Sequence, residues 1–393
     1  MLNMRKFFGS EKIYPTIALF DIGSGSVGGA IARFSGDDRP TITYSTRKSL
    51  PLHKELNPDK LSYHTISALN EVGNELIRKG LEGGEVFGVL CTVSSPWSTV
   101  EPATVSAEGV ERNITEDYLE RILEQGREDI RRNASDDRSG MNLVEETVVR
   151  TLADGRELWD LESQRANRVD ISMLQGFVSD RFHKQAEDTL ERIFGATPIV
   201  VQTSILPLFL ATRDVYDGLL DFILVDISGE VTDLALVKDG MIAGVASFPI
   251  GKHSTARNAA MKSGVHPVDS ISNIRLRVNG SDNRLSSMDA VYLLQSAREW
   301  GRAFNEACAN LAALEPLPNT VLVHADSDTA DWFVSQISGS RLAPITKGKS
   351  DLVSQYISED IPGRLCNFEG PNIGYDTGLG VAALYYNRRL LSS

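Results

Sequence analysis

Near its N-terminus the chain reads LFDIGSGSV over residues 19–27, an apolar run that ends in an aspartate and a turn of small residues. This pattern predicts a buried strand ending at Asp21, a tight turn and a second strand over residues 27–34. Residues 224–233 repeat the pattern as LVDISGEVTD, with Asp226 at the end of the apolar run. The chain therefore repeats one strand, turn and strand unit.

The segments around these two units alternate between helical and strand patterns. Apolar residues recur at three- to five-residue intervals over residues 61–79 and predict an amphipathic helix. A long helix is predicted over residues 288–314, because Ser286 and Asp289 form a workable capping pair before it. Strands are also predicted over residues 86–93, 144–151, 169–178, 199–201 and 320–323. Further helices are predicted over residues 115–131, 179–194, 206–216 and 379–390.

Together these features resemble the actin-like ATPase superfamily, and in particular its FtsA/PilM type, in which two halves hold one nucleotide. Residues 248–252 read FPIGK and residues 375–380 read YDTGLG, and both are similar to passages of that family. The resemblance covers about residues 16–390. It implies an α/β, actin-like (duplicated ribonuclease-H-like) fold, with two half-domains around a cleft and an inserted α+β subdomain.

The resemblance also implies a domain organisation. A tail over residues 1–14 precedes the first half, residues 15–85, to which residues 173–200 and about 345–393 return. The inserted subdomain takes residues 86–172, and the second half takes residues 201–344. We expect the core of the inserted subdomain to include Val89, Val93, Ile122, Val148 and Val149. Residues 1–8 mix apolar and cationic side chains, which suits a weak membrane-surface contact or a terminus lying on the domain.

In such a fold the two turns meet the nucleotide. Backbone N–H groups of small residues approach phosphate oxygens, and an aspartate at a strand end holds Mg²⁺ through water. Asp21 and Asp226 are therefore expected to face the cleft as the catalytic and Mg²⁺-binding pair. The cofactor-binding residues that the resemblance implies are Gly23, Ser24, Gly25, Ser26, Gly229 and Thr232.

Departures from the family pattern weigh against a working ATP site. Ser228 and Glu230 stand where the family has glycines, and a carboxylate about 4 Å from a phosphate costs on the order of 4 kcal/mol. Ala325 and Asp326 follow the strand at residues 320–323, where the family has an adenosine-binding glycine turn. The family's ribose contacts have no clear counterparts. The sequence therefore predicts weak or absent ATP turnover, and predicts that Glu230→Gly strengthens nucleotide binding if the carboxylate is the main obstacle and does not rotate outward.

Composition excludes several other classes of protein. A formal net charge of −13 argues against a nucleic-acid binder, which needs clustered cationic side chains. The three cysteines lie far apart, and the six histidines show no metal-ligand spacing. No apolar run reaches the roughly 18 residues of a spanning helix, and no signal peptide is recognisable. The chain is therefore predicted to be cytoplasmic, with recruitment to the inner face of the membrane left open.

Three functions remain open on these grounds. The first is an adaptor that docks a protein partner, either an FtsZ-like polymer or the cytoplasmic tail of a membrane protein, through the inserted subdomain. The chain stops just after its closing helix without an amphipathic membrane helix, which favours a PilM-like role. The second is an active Mg-ATPase that self-associates into filaments. The third is a sugar or small-acid kinase, for which no substrate-binding residues are recognisable.

Overall fold

The computed structural model describes residues 15–34, 39–81, 83–132, 139–158, 165–280, 285–357, 363–364, 366–370 and 373–391. The predicted N-terminal tail, with its membrane-contact segment, lies outside the described residues. The strands are β1 (Thr16–Ile22), β2 (Ser26–Arg33), β3 (Thr41–Ser49), β4 (Gly88–Val93), β5 (Ser98–Asn113), β6 (Met141–Ala153), β7 (Arg156–Glu157), β8 (Arg165–Ser179), β9 (Ile199–Thr203), β10 (Phe222–Ile227), β11 (Thr232–Lys238), β12 (Met241–Phe248), β13 (Thr320–Ala325), β14 (Val353–Tyr356) and β15 (Asn367–Phe368). The helices are α1 (Pro58–Glu75), α2 (Glu116–Arg132), α3 (Asp180–Phe194), α4 (Ile205–Val215), α5 (Lys252–Ser263), α6 (Pro267–Val278), α7 (Ser287–Ala312), α8 (Ala330–Ser338) and α9 (Thr377–Leu391).

Local capping explains where the two long helices begin. Ser286 Oγ accepts a hydrogen bond from the Asp289 N–H group at 3.1 Å, as the capping pair predicts for α7. Helix α1 begins three residues before its prediction, because Asn57 caps it and Pro58 occupies its first turn. A π-helical turn over Leu76–Gly80 then extends α1.

The two halves are built on sheets of matching topology. The first sheet has the order β15-β3-β2-β1-β4-β9, and the second has the order β12-β11-β10-β13-β14. In each sheet, the first strand of an antiparallel hairpin also pairs, along its other edge, with a parallel strand. Asp21 of β1 lies beside Thr92 of β4, and Asp226 of β10 lies beside His324 of β13. The structure therefore confirms that the repeated sequence unit produces two similar halves.

The alternation of side chains along β1 and β10 determines which face of each sheet carries Asp21 and Asp226. Side chains two residues apart lie on the same face of a strand. Leu19 and Leu224 belong to one core, which also contains α4 and α9 and joins the inner faces of both sheets. Phe20 belongs to the opposite face of the first sheet, which is covered by α1 and α3. Asp21 and Asp226 are therefore on the inner faces, at the strand ends.

A third sheet, of order β5-β8-β6-β7, forms the inserted lobe, defined here as residues 98–179. The predicted start at residue 86 was wrong, because β4 pairs in parallel with β1 and belongs to the first sheet. Val89 and Val93 are accordingly buried in the core of the first half. The second half also extends past its predicted end at residue 344, since β14 pairs with β13.

The core of the lobe is small and lies between its sheet and α2. Ile122 is buried there, as predicted, together with Val169 and Ile171. Val148 was predicted to be structural, but its side chain is 43% exposed. The pairing of β6 with β8 shifts register just after Val148, which breaks the alternation on which the prediction depended. Val149 packs instead against the core that joins the two halves.

Candidate functional site

The ends of β1 and β10 open on a cleft of about 660 Å³ between the two halves. From the first half it is lined by Asp21 and the turn residues Gly23, Gly25 and Ser26. From the second half it is lined by Asp226 and the turn residues Ser228 and Gly229. The prediction that both aspartates face one cleft is confirmed, while their catalytic and Mg²⁺-binding roles stay predictions.

The two turns are in direct contact with each other. The Glu230 N–H group donates to Ser24 Oγ at 2.9 Å, and Ser24 Oγ lies 2.8 Å from Ser228 Oγ. Because the Ser228 hydroxyl donates to the Val231 carbonyl, Ser24 is the donor in the second contact. Ser24 is fully buried. A backbone N–H group of the kind that would approach a phosphate is thus bonded to the opposite turn.

Arg47 of β3 occupies the position beside the first aspartate. Its Nη2 atom lies 2.7 Å from Asp21 Oδ2, and its Nε atom lies 2.7 Å from Asp376 Oδ2, just before α9. Its Nη1 atom donates to Ser26 Oγ at 2.9 Å. The guanidinium therefore places a positive charge directly against Asp21.

The pKa values of this triad reflect burial opposed by ion pairing. Burial raises the pKa of Asp21, and the attraction of Arg47 offsets only part of that effect. Burial alone would also raise the pKa of Asp376, but attraction to Arg47 lowers it overall. Burial alone would lower the pKa of Arg47, but Asp376 and Asp21 raise it well above its usual value. Arg47 is therefore a permanent cation of the cleft.

Two other cleft aspartates also contact basic side chains of the chain itself. His324 Nδ1 lies 2.8 Å from Asp226 Oδ1. Burial alone would lower the pKa of His324, but the hydrogen bond and charge of Asp226 raise it overall. Lys252, the first residue of α5, pairs with Asp326. Burial alone would raise the pKa of Asp326, but Lys252 lowers it. Ala325, beside Asp326, is buried and lines the cleft.

Glu230 is not where the sequence suggested. Its carboxylate was expected near the phosphates, but it faces α5 and pairs with both terminal nitrogens of Arg257, at 2.7 and 3.0 Å. Ser254 also donates to Glu230 Oε2 at 2.9 Å. The carboxylate therefore does not face the cleft as the prediction for Glu230→Gly assumed, and the effect of that variant on nucleotide binding stays a prediction.

Thr232 is also placed differently from its predicted role. Its hydroxyl donates to the Ile250 carbonyl at 2.8 Å and accepts from Trp300 Nε1 at 3.2 Å. The side chain is fully buried in the second half, on the outer side of its sheet with Trp300. Thr232 is therefore a core residue and not a lining residue of the cleft.

Asp233 connects the root of the inserted lobe to the second half. Its Oδ1 atom accepts a hydrogen bond from Ser95 Oγ at 2.9 Å and another from Ser247 Oγ. Ser95 lies in the segment between β4 and β5 that leads into the lobe. Burial raises the pKa of Asp233 to about 7, although both hydroxyl groups act in the opposite direction.

Sequence reasoning missed the cations of this site. Arg47 and Arg257 belonged to no recognised motif, and Lys252 was noted only as the last residue of the FPIGK passage. One signal was available, because several aspartates predicted to meet in one cleft require nearby positive charge. Within the described ranges, no group of three or more His, Cys, Asp or Glu side chains converges as a metal site.

Comparison with known proteins shows that this chain is similar in fold to solved structures. No protein-family model and no curated protein matches the chain. The chain nevertheless has the actin-like ATPase fold, as the repeated turns predicted. A solved structure of the PilM-PilN type IV pilus biogenesis complex is similar at a TM-score of 0.62 and 12% identity, covering 96% of this chain and 99% of that chain. The ethanolamine utilization protein EutJ from Carboxydothermus hydrogenoformans is similar at a TM-score of 0.45 and 12% identity, covering 97% of this chain and 93% of that chain.

Proposed function

We propose that this protein is an actin-fold adaptor of the FtsA/PilM type, which docks a partner protein and does not use nucleotide to close its cleft. The observation that carries the proposal is the contact between the two turns, through Ser24, Ser228 and the Glu230 N–H group. In a nucleotide-dependent protein of this fold, phosphates would separate these turns. Arg47 beside Asp21 and His324 beside Asp226 add to the argument, because each places a basic side chain against a carboxylate that would hold Mg²⁺ through water. As arranged, the cleft does not suit Mg-ATP.

Mg-ATP is therefore expected to bind with a dissociation constant weaker than about 100 μM, since a phosphate must displace bonds already made between the turns. Calorimetric titration measures the affinity, and a phosphate-release assay measures turnover. A dissociation constant of a few micromolar, with phosphate release that disappears in Asp226→Ala, would contradict the proposal and favour the filament-forming ATPase.

The inserted lobe is the proposed docking module, and its partner is proposed to be an FtsZ-like polymer or the cytoplasmic tail of a membrane protein. The similar pilus structure is itself a complex of PilM with PilN, which supports a protein partner. None of the described helices combines the length and apolar character needed to cross a membrane. The lobe has its own sheet and a small core around Ile122 and Ile171, while Val100 and Leu174 at its base belong to the core shared by the halves.

Replacing the lobe by a short Gly/Ser linker is expected to abolish partner capture. The geometry permits this replacement, because Ser98 pairs with Val178 and the Ser179 N–H group donates to the Trp97 carbonyl at 2.8 Å. Trp97 stacks on Phe182 of α3 and stays with the first half. Pull-down from cell lysate compares the intact and lobe-replaced proteins, after both are shown to melt cooperatively. If both recover the same partners, the lobe is not the docking module.

A further inference from the structure

We propose that Ser24, Glu230, Arg257 and the His53 carbonyl form a cross-cleft clasp that holds the two halves closed without any ligand. This inference rests on the proposed function, in which nucleotide does not close the cleft. It assigns a role to Glu230, the residue that departs from the family's glycine. The side chain that was expected to repel phosphate instead pairs with the arginine that bonds the first half.

The central part of the clasp is a buried ion pair within the second half. The guanidinium of Arg257 makes two parallel contacts with the Glu230 carboxylate, the strongest arrangement available to this pair. Glu230 is 5% exposed and Arg257 is 8% exposed. His253 lies close by, with Nδ1 3.8 Å from Glu230 Oε1, and burial lowers the pKa of His253 to about 4. At neutral pH His253 is therefore uncharged, and the positive charge that faces the Glu230 carboxylate is that of Arg257.

Arg257 then reaches across to the first half. Its remaining Nε–H group donates to the His53 carbonyl at 3.1 Å, in the segment that follows β3. This segment is fixed to the first half at two points. The Leu50 N–H group donates to the Gly25 carbonyl at 2.9 Å, and the His53 ring contacts the His64 ring of α1, with their Nε2 atoms 3.2 Å apart. A movement of His53 would therefore move the first turn and α1 with it.

The other arm of the clasp runs through the backbone. The Glu230 N–H group donates to Ser24 of the first turn, while the Glu230 side chain holds the arginine that bonds His53. Glu230 thus contacts the first half directly through its amide, and its carboxylate holds the arginine that makes the second contact. Only arginine offers donors in three directions from a planar group, so lysine at position 257 could not make the same set of contacts.

Amide hydrogen exchange of Glu230 tests the clasp, because this N–H group bonds directly across the cleft. Arg257→Met is expected to accelerate Glu230 exchange at least tenfold, since local opening then requires fewer bonds to break. The matched control is Lys262→Met on the same helix, whose ion pair with Glu299 lies within the second half. The buried Leu322 amide of β13 reports global unfolding in each protein. Equal acceleration at Glu230 and Leu322 would overturn the clasp, since general instability would then explain the result.

A double variant separates closure from stability. Glu230→Gln with Arg257→Met leaves neither charge buried, so its unfolding midpoint is expected to return toward that of the wild type. The bond to His53 is still missing, so Glu230 exchange is expected to stay at least tenfold faster than in the wild type. Exchange as slow as in the wild type would overturn the clasp. These outcomes are independent of the calorimetric titration: unchanged exchange with no Mg-ATP binding rejects the clasp alone, whereas tight Mg-ATP binding to the wild type rejects the proposed function.

Discussion

Arg47→Met is expected to lower the free energy of unfolding by about 3 kcal/mol, near the lower end of the cost of removing one partner from a buried ion pair. The substitution keeps most of the side-chain volume but leaves Asp21 and Asp376 facing each other without a cation. Both carboxylates are 17% exposed and Arg47 is 29% exposed, so water compensates only part of the loss. Chemical denaturation of the two proteins measures the difference.

Lys48→Met is the matched control for this experiment. Lys48 is the next residue of β3, and its ion pair with Glu71 is open to solvent. An exposed pair of this kind contributes little, so the control should unfold close to the wild type. If Arg47→Met unfolds like Lys48→Met, the guanidinium is not needed to compensate the cleft aspartates.

Gly229→Ala is expected to lower the free energy of unfolding by about 3 kcal/mol, at the upper end of the usual cost of overpacking. A Cβ atom at Gly229 would lie 2.6 Å from the Gly25 Cα and N atoms and 2.6 Å from the Ser24 carbonyl carbon. These are backbone atoms of the opposite turn, so no side-chain rotation relieves the overlap. The halves must separate at this point, which also breaks the bonds of Ser24. Denaturation measures the stability, and amide exchange of Glu230 reports the separation.

Gly301→Ala is the matched control, because it adds the same methyl group elsewhere in the second half. Gly301 lies inside α7, and a Cβ atom there would have no neighbour within 4 Å. Removing a glycine from a helix interior stabilises a protein by about 0.5–1 kcal/mol. The two alanine variants should therefore change stability in opposite directions. A Gly229→Ala protein as stable as the wild type would show that the turns are not in fixed contact.

The sequence predicted the parts of the fold that depend on local patterns. Strands β1 and β10 followed from short apolar runs, and the resemblance of the two aspartate turns to the actin-like family placed both aspartates at a cleft. The lobe boundary was not predictable in this way. Val89 and Val93 belong to an apolar strand, and the apolar pattern alone does not indicate which sheet the strand joins. That choice depends on pairing with β1, far away in the sequence.

The sequence predicted where the candidate site lies, but it did not predict which side chains contact one another there. The motif comparison correctly singled out Glu230 as a departure, but the direction of its side chain depends on Arg257, 27 residues later. Asp376 meets Arg47 across 329 residues. No periodicity or spacing carries information over such separations, since the folded chain alone brings these groups together. Which cationic side chain pairs with which carboxylate in the cleft therefore could not be predicted from the sequence.

The core shared by both halves also affects when the chain can fold during its synthesis on the ribosome. The inner face of β1 is made first, but it is covered by α9, whose residues Leu379 and Ala382 pack in the same core as Ile17 and Leu19. Until that helix emerges, the nascent chain exposes the apolar inner face of β1. Such surfaces aggregate during synthesis unless they are protected. Translation of this chain is therefore expected to recruit chaperones from an early stage and to release them late.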